Sequence, residues 1–304
     1  MGQRLEKNKK PGVRYALAPL GKDGELELPI IDVTHPAFAL ALTPDEVDAQ
    51  VARYLAGPQP FAKLPRFLQR ALLRFFLRKS PLGRGIRSSQ GSFLAGLSTY
   101  LLKLGPDNLG EAYAHPVDRR IAASVSALSV RLRLQDMARL LAETLAPRLA
   151  AAAGRPLRFV NIAGGPAMDS LNALILLRRD HPQALGARTV WIDVLDQDPD
   201  GPAFGARALA ALTARGGRLD GLDAKLLGIR ANWSDMVPLR DLLRGIHAEG
   251  SIAIGSSEGG LFEYGSDGEI GAVLSCLRDE APADFAMVGS VTRDDETSRR
   301  LRQG

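Results

Sequence analysis

Cysteine is nearly absent: Cys276 stands alone in 304 residues. An internal disulfide and a cysteine-based zinc site are therefore excluded, and the cytoplasm is the expected compartment. Histidine is almost as scarce, with only His35, His115, His181 and His247. No apolar run reaches the roughly 18 residues that span a bilayer, so no transmembrane segment is expected. The basic stretch from Met1 to Gly12 has no apolar core behind it, unlike a signal peptide. There is no internal repeat. What remains is ordinary globular material, long enough for one large domain or two modest ones.

The net charge of +5 is unevenly spread. Between Phe61 and Arg87 stand Lys63, Arg66, Arg70, Arg74, Arg78, Lys79, Arg84 and Arg87, without one acid. That segment carries +8, which leaves the rest of the chain at −3. The four arginines repeat at helical spacing over Leu64–Lys79, opposite an apolar face. Such a stripe is either a solvated face or a contact for something anionic: an acidic substrate, a carrier or a membrane surface. No aromatic residue joins the arginines on the polar face, so a stacking platform for nucleic acid is not expected there.

The first 40 residues read as irregular. Thr43-Pro44-Asp45-Glu46 opens a helix, with a capping residue, proline at the first position and acids in the first turn. Further helices are expected over Ser92–Leu104 and, unbroken, over Val117 to about Leu149. After Gly154 the texture changes to strand–helix alternation. Strands are expected at Leu157–Ala163, Thr189–Leu195, Ala224–Arg230, Ser251–Ser256 and Phe285–Val291. Helices are expected at Asp169–Arg179, Ala203–Ala214, Pro238–His247 and Asp267–Asp279, the last with a Ser266/Glu269 capping box. This alternation predicts an α/β fold, a Rossmann-like, doubly wound, mostly parallel sheet with a helical N-terminal extension. The boundary is placed near 150: residues 1–150 a mainly helical cap and substrate region, 151–304 the Rossmann-like domain.

The most informative run is Phe159-Val160-Asn161-Ile162-Ala163-Gly164-Gly165-Pro166-Ala167, a strand entering a turn of small residues before a helix. Such a turn lets backbone approach a ligand. The run resembles the first motif of class I S-adenosylmethionine-dependent methyltransferases, an acid-x-Gly-x-Gly-x-Gly turn. Asn161, Ala163, Gly165 and Ala167 hold the four motif positions; one glycine of three is kept, and asparagine replaces the acid. The alanines suit such a turn only at negative φ.

The resemblance implies the remaining site. Asp196, with Asp193 second, would bind the ribose hydroxyls at the end of the second strand. Asn232 and Trp233, after the third, would meet adenine by hydrogen bonds and stacking. Ser256, Ser257 and Glu258, after the fourth, would lie beside the methyl donor, with Gly164 and Gly165 at its methionine tail. The implied cofactor is S-adenosylmethionine, and the implied activity is methyl transfer to a small-molecule acceptor, anionic or carrier-bound forms included, with the helical part as a lid. Glu258 is the first candidate base, followed by Tyr264 and Glu263. Tyr100, Tyr113 and His115 are further pocket candidates, with packing or loop roles the alternative for each. The family's sheet has seven strands, the last pair antiparallel, whereas five are counted here. Either the last strands are missing or the N-terminal part covers the open edge. The alternative function is a non-catalytic binding or partner protein on this fold; a nicotinamide-dependent reductase is third. A homodimer is left open.

Gly255-Ser256-Ser257-Glu258-Gly259 also matches the Gly-x-Ser-x-Gly nucleophile elbow of α/β-hydrolases. All four histidines precede Ser257, so the triad order of that fold is unavailable to it.

Overall fold

The computed structural model describes residues 9–19, 24–56, 80, 82, 96–113, 115–152, 154–186 and 188–294. The arginine stripe expected over 64–79 lies outside the described residues.

Five parallel strands form the central sheet. They are β3 (Leu157–Ile162), β4 (Val190–Asp196), β5 (Ala224–Arg230), β6 (Ile252–Ser257) and β7 (Ala286–Gly289), in the order β5-β4-β3-β6-β7. The order reverses between β3 and β6, so loops leaving their carboxyl ends diverge and open a crevice. Burial on both faces explains why the central strands β3, β4 and β6 read as near-continuous apolar runs.

Alternation along each strand decides which face a side chain serves. Leu157, Phe159, Val190, Ile192, Val194, Ile252 and Ile254 face one core, shared with helices α5 (Met168–Asp180) and α6 (Asp200–Thr213). Val160, Ile162 and Ala253 face the other, covered by α7 (Val237–Glu249), the short α8 (Gly260–Tyr264) and α9 (Asp267–Glu280). The expected doubly wound sheet is therefore present.

The N-terminal part contributes to the first core. Its helices are α1 (Pro44–Ala56), α2 (Gly96–Leu104), α3 (Pro116–Ala122) and α4 (Val125–Ala151). Leu97, Tyr100, Leu134, Leu141 and Leu145 pack there with the sheet residues. Two expectations are corrected. Residues 15–29 are not irregular: β1 (Tyr15–Pro19) and β2 (Glu25–Pro29) pair antiparallel. The helix expected unbroken from Val117 is two helices, because Ser124 adopts an extended backbone and its hydroxyl accepts from Ala127 N at 3.1 Å, restarting the chain as α4. Asn172 fastens the chain beyond β2 to the sheet domain, accepting from Val33 N at 2.8 Å and donating to Ile31 O at 3.0 Å. Among the described residues, no helix is long and apolar enough to cross a membrane.

The Ser266/Glu269 capping box is present at the start of α9. The Ser234 hydroxyl donates to Glu269 as well, and with Ser266 it holds the Glu269 carboxyl at about 2, against an ordinary 4.5. A depressed folded value gives stability that is complete above the unfolded pKa and lost as pH falls through the folded one. Glu269→Gln should therefore lower the urea midpoint at pH 7, with the difference shrinking between about pH 4.5 and pH 2. A pH-independent difference would refute this assignment.

Candidate functional site

The crevice predicted by the strand order is a cleft of about 1350 Å³ at the carboxyl ends of β3, β4, β5 and β6. Its floor is the β3 turn, the end of β4 and the loop after β5. Its opposite wall comes from α2 and α4 of the N-terminal part, through Thr99, Leu102, Lys103, Ser126, Ser129, Val130 and Arg133.

The β3 turn is built on left-handed backbone. Ala163, Gly165 and Ala167 have φ of 54°, 55° and 51°. The negative φ expected of the two alanines is thus corrected; each left-handed alanine costs about 1–2 kcal/mol. Space permits it at Ala163 because Gly260 faces that residue: a Cβ on Gly260 would lie 2.7 Å from the Ala163 methyl. Helix α6 closes from the other side, where a Cβ on Gly201 would lie 2.8 Å from the Gly165 Cα. The small residues therefore serve packing around the turn as well as access to it.

Ala163, Gly164, Gly165, Asp196, Asn232, Trp233, Glu258 and Tyr264 are brought together on the cleft wall. Asp196 Oδ2 accepts from Gly165 N at 2.9 Å and Oδ1 from Asp198 N at 3.0 Å. Burial pushes its carboxyl up, against the backbone N–H groups that favour the charged form. A carboxylate offers about four acceptor positions, so Asp196 keeps capacity for further donors. Asn232 Oδ1 accepts from Ser234 N at 3.0 Å, which commits its carbonyl to a local turn and leaves its amide N–H groups as its contribution to a ligand.

Seven expected residues fall outside the cleft lining. Asn161 is fully buried beneath the turn. Its amide nitrogen donates to Asp169 Oδ1 at 2.8 Å, Ser256 Oγ at 3.0 Å and Ser170 Oγ at 3.2 Å. It thus ties β3 to β6 and to the start of α5. Ser256 is the partner in that network, and buried Ser257 accepts from Leu261 N at 3.2 Å. Ser257 is accordingly no exposed nucleophile. Asp193, the second choice for the ribose, is sealed on the opposite face and paired with Arg158 at 3.1 Å. Tyr100 bonds Pro29 O and Ile31 N inside the core. Tyr113 is buried, and His115 Nδ1 accepts from Val117 N to cap α3.

Sequence reasoning missed the residues that meet Glu258. Lys103 Nζ lies 2.8 Å from Glu258 Oε2, and Arg133 Nε lies 3.7 Å from Oε1. Arg133 Nη1 also reaches Glu263 Oε1 at 3.0 Å. These cations stand 155 and 125 positions before Glu258, and no local pattern announces them. Burial pushes the Glu258 carboxyl up; Lys103 opposes this and Asp169 adds to it. Burial and then Glu263 push the Tyr264 phenol up, which keeps it protonated. Also missed were Asp198, Asp200 and Asp235, which line the floor with Asp196. The density of acids after β4 is the signal that could have revealed the first two. Among the described residues, no three His, Cys, Asp or Glu side chains are grouped to hold a metal ion.

No family model and no curated protein sequence matches this chain.

Proposed function

We propose that this protein transfers a methyl group from S-adenosylmethionine to a small-molecule acceptor. The observation that carries the reading is the charge of the cleft floor. Asp196, Asp198, Asp200 and Asp235 line it, while the lining cations among the described residues, Lys103 and Arg133, sit on the opposite wall and are paired with Glu258 and Glu263. In a chain of net charge +5, this is a local field that favours a cationic nucleoside and repels the diphosphate of a dinucleotide. The reductase reading is disfavoured on the same ground.

The residues present fit the group. Asp196 has acceptor capacity for two adjacent ribose hydroxyls. Asn232 donates and Trp233 offers a ring face for adenine. Ala163, Gly164 and Gly165 give backbone approach for the amino-acid tail. When bound, S-adenosylmethionine supplies an electrophilic methyl group. The protein's share is proximity and alignment. Tyr264, kept protonated, donates a hydrogen bond to the acceptor molecule. Glu258 serves as proton acceptor once Arg133 moves from its Oε1; its raised pKa brings it nearer the neutral range where a general base works best.

Both Glu258 oxygens face cations, and that observation favours a second reading, a binding or partner protein without catalysis. Calorimetry tests the pair. Micromolar binding of S-adenosylmethionine and S-adenosylhomocysteine is expected. Asp196→Ala should weaken it by about 2 kcal/mol, near 30-fold, the worth of charge-assisted hydrogen bonds. Asp196→Asn, which keeps one acceptor oxygen for the turn, should weaken it less. Absence of binding by either compound would sink the methyltransferase reading; binding without turnover of any acceptor would favour the second.

A further inference from the structure

The cleft is larger than its floor requires. Pockets for drug-sized molecules occupy about 300–1000 Å³, and this one holds about 1350 Å³. The part beyond the acidic floor lies between α2, α4, α8 and residues 290–292. Its lining is apolar at Val130, Phe262, Tyr264 and Val291, and hydroxylic at Thr99 and Ser126. Tyr264 and Val291 are 48% and 73% exposed.

Four charged side chains share this wall, and their charges cancel. Lys103 and Arg133 face Glu258 and Glu263 at 2.8, 3.7 and 3.0 Å. Arg133 is the centre of the arrangement, since it alone touches both carboxylates. Its guanidinium fills the space a side chain at Gly259 would take, where a Cβ would lie 2.7 Å from Nη1. The glycine, at φ of 88°, leaves the room for that placement. The four charges leave no net charge for an ionic ligand, while Arg133 Nε and Glu258 Oε1, 3.7 Å apart, make no hydrogen bond among the described residues. One neutral polar group does remain: Ser290 Oγ is buried in this wall without a hydrogen-bond partner among the described residues.

We propose that this second lobe is the acceptor site and takes a neutral, largely apolar molecule bearing a hydroxyl group, with Arg133 as the residue that sets the preference for neutrality. The inference rests on the reading of the floor as the cofactor's place. An anion would meet Glu258 and Glu263 with no free cation among the described residues of this lobe to offset them. A cation would meet Lys103 and Arg133 with no free carboxylate in this lobe among the described residues. Desolvating either charge is costly. A hydroxyl both donates and accepts, which suits Ser290, Thr99 and Ser126.

Three probes of one shape test this on the full-length protein: 2-naphthol, 2-naphthoate and 2-naphthylmethylamine, titrated by fluorescence at pH 7.5 with and without S-adenosylhomocysteine. Wild type should prefer 2-naphthol over both charged probes by about tenfold or more. Arg133→Met leaves Glu263 without its cation and Glu258 with Lys103 alone, and should swing the preference toward the amine by about tenfold. Glu263→Gln frees part of Arg133 and should swing it toward the carboxylate. The two shifts run in opposite directions, so misfolding of one variant leaves the other informative. Equal binding of the three probes, no binding of any, or an unchanged order in both variants would overturn the proposal. Lost probe selectivity with S-adenosylhomocysteine still bound sinks the acceptor lobe alone. Absence of S-adenosylhomocysteine binding sinks the cofactor reading instead.

Discussion

Lys103→Met should destabilise the protein by about 3–5 kcal/mol at neutral pH, the usual cost of removing one partner of a buried ion pair. The Lys103 and Glu258 side chains are 6% and 3% exposed, and their 2.8 Å contact joins α2 to the end of β6. Without Lys103, the Glu258 carboxylate keeps only Arg133, which is 3.7 Å away and shared with Glu263. Burial already pushes the Glu258 carboxyl up, and loss of the ammonium pushes it further. The folded variant then holds a proton that the unfolded chain releases near 4.5. A raised folded value means stability kept below the unfolded pKa and lost as pH rises toward the folded one. The penalty should therefore be small at pH 4.5 and grow toward pH 7.5. Lys103→Met with Glu258→Met removes both charges and should recover most of the loss. Urea unfolding of both variants at the two pH values measures this. A loss below about 1 kcal/mol at pH 7.5, or a double variant no better than the single, would show that the pair does not hold α2 to the sheet.

Much of the sheet was legible because its three central strands, β3, β4 and β6, are buried on both faces and so read as apolar runs between turn residues. The β1–β2 hairpin was not: its strands are five residues each, half-exposed and rich in leucine and alanine, which also suit helices. The break at Ser124 was missed because Ala122 and Ala123 continue the helical texture, and one serine competes with it only through its capping bond. Within the site, Asn161 was misplaced although a signal existed. Leu157, Phe159 and Asn161 share one face of β3, the α5 face, so period two alone sends Asn161 into the core rather than the cleft. Asp196 was legible because it ends its strand, where the side chain leaves the sheet. Lys103 and Arg133 were not, since only tertiary packing brings the N-terminal helices to the end of β6.

Gly164→Ala is expected to be strongly destabilising. A Cβ at this position would stand 1.7 Å from Asn161 Oδ1 and 2.5 Å from Asn161 Cγ. The asparagine is held in place, because the two hydrogens of its amide nitrogen are shared among Asp169, Ser256 and Ser170 oxygens at 2.8 to 3.2 Å. Rotating it would strand buried Asp169 and Ser256, and shifting the turn would break the Gly165–Asp196 bond. The variant should lose at least about 3 kcal/mol, beyond ordinary overpacking, and whatever folds should bind S-adenosylhomocysteine poorly. Gly268→Ala is the control. It lies in the first turn of α9 with nothing within 4 Å of its Cβ, so it should be neutral or slightly stabilising. Asn161→Ala leaves buried donors and acceptors unmatched, at about 1–3 kcal/mol. Added to Gly164→Ala, however, it removes the atom in collision, so the double variant should be more stable than the sum of the two losses. Strict additivity would mean that the turn has another way to admit the methyl, and that the glycine stands there for the ligand alone.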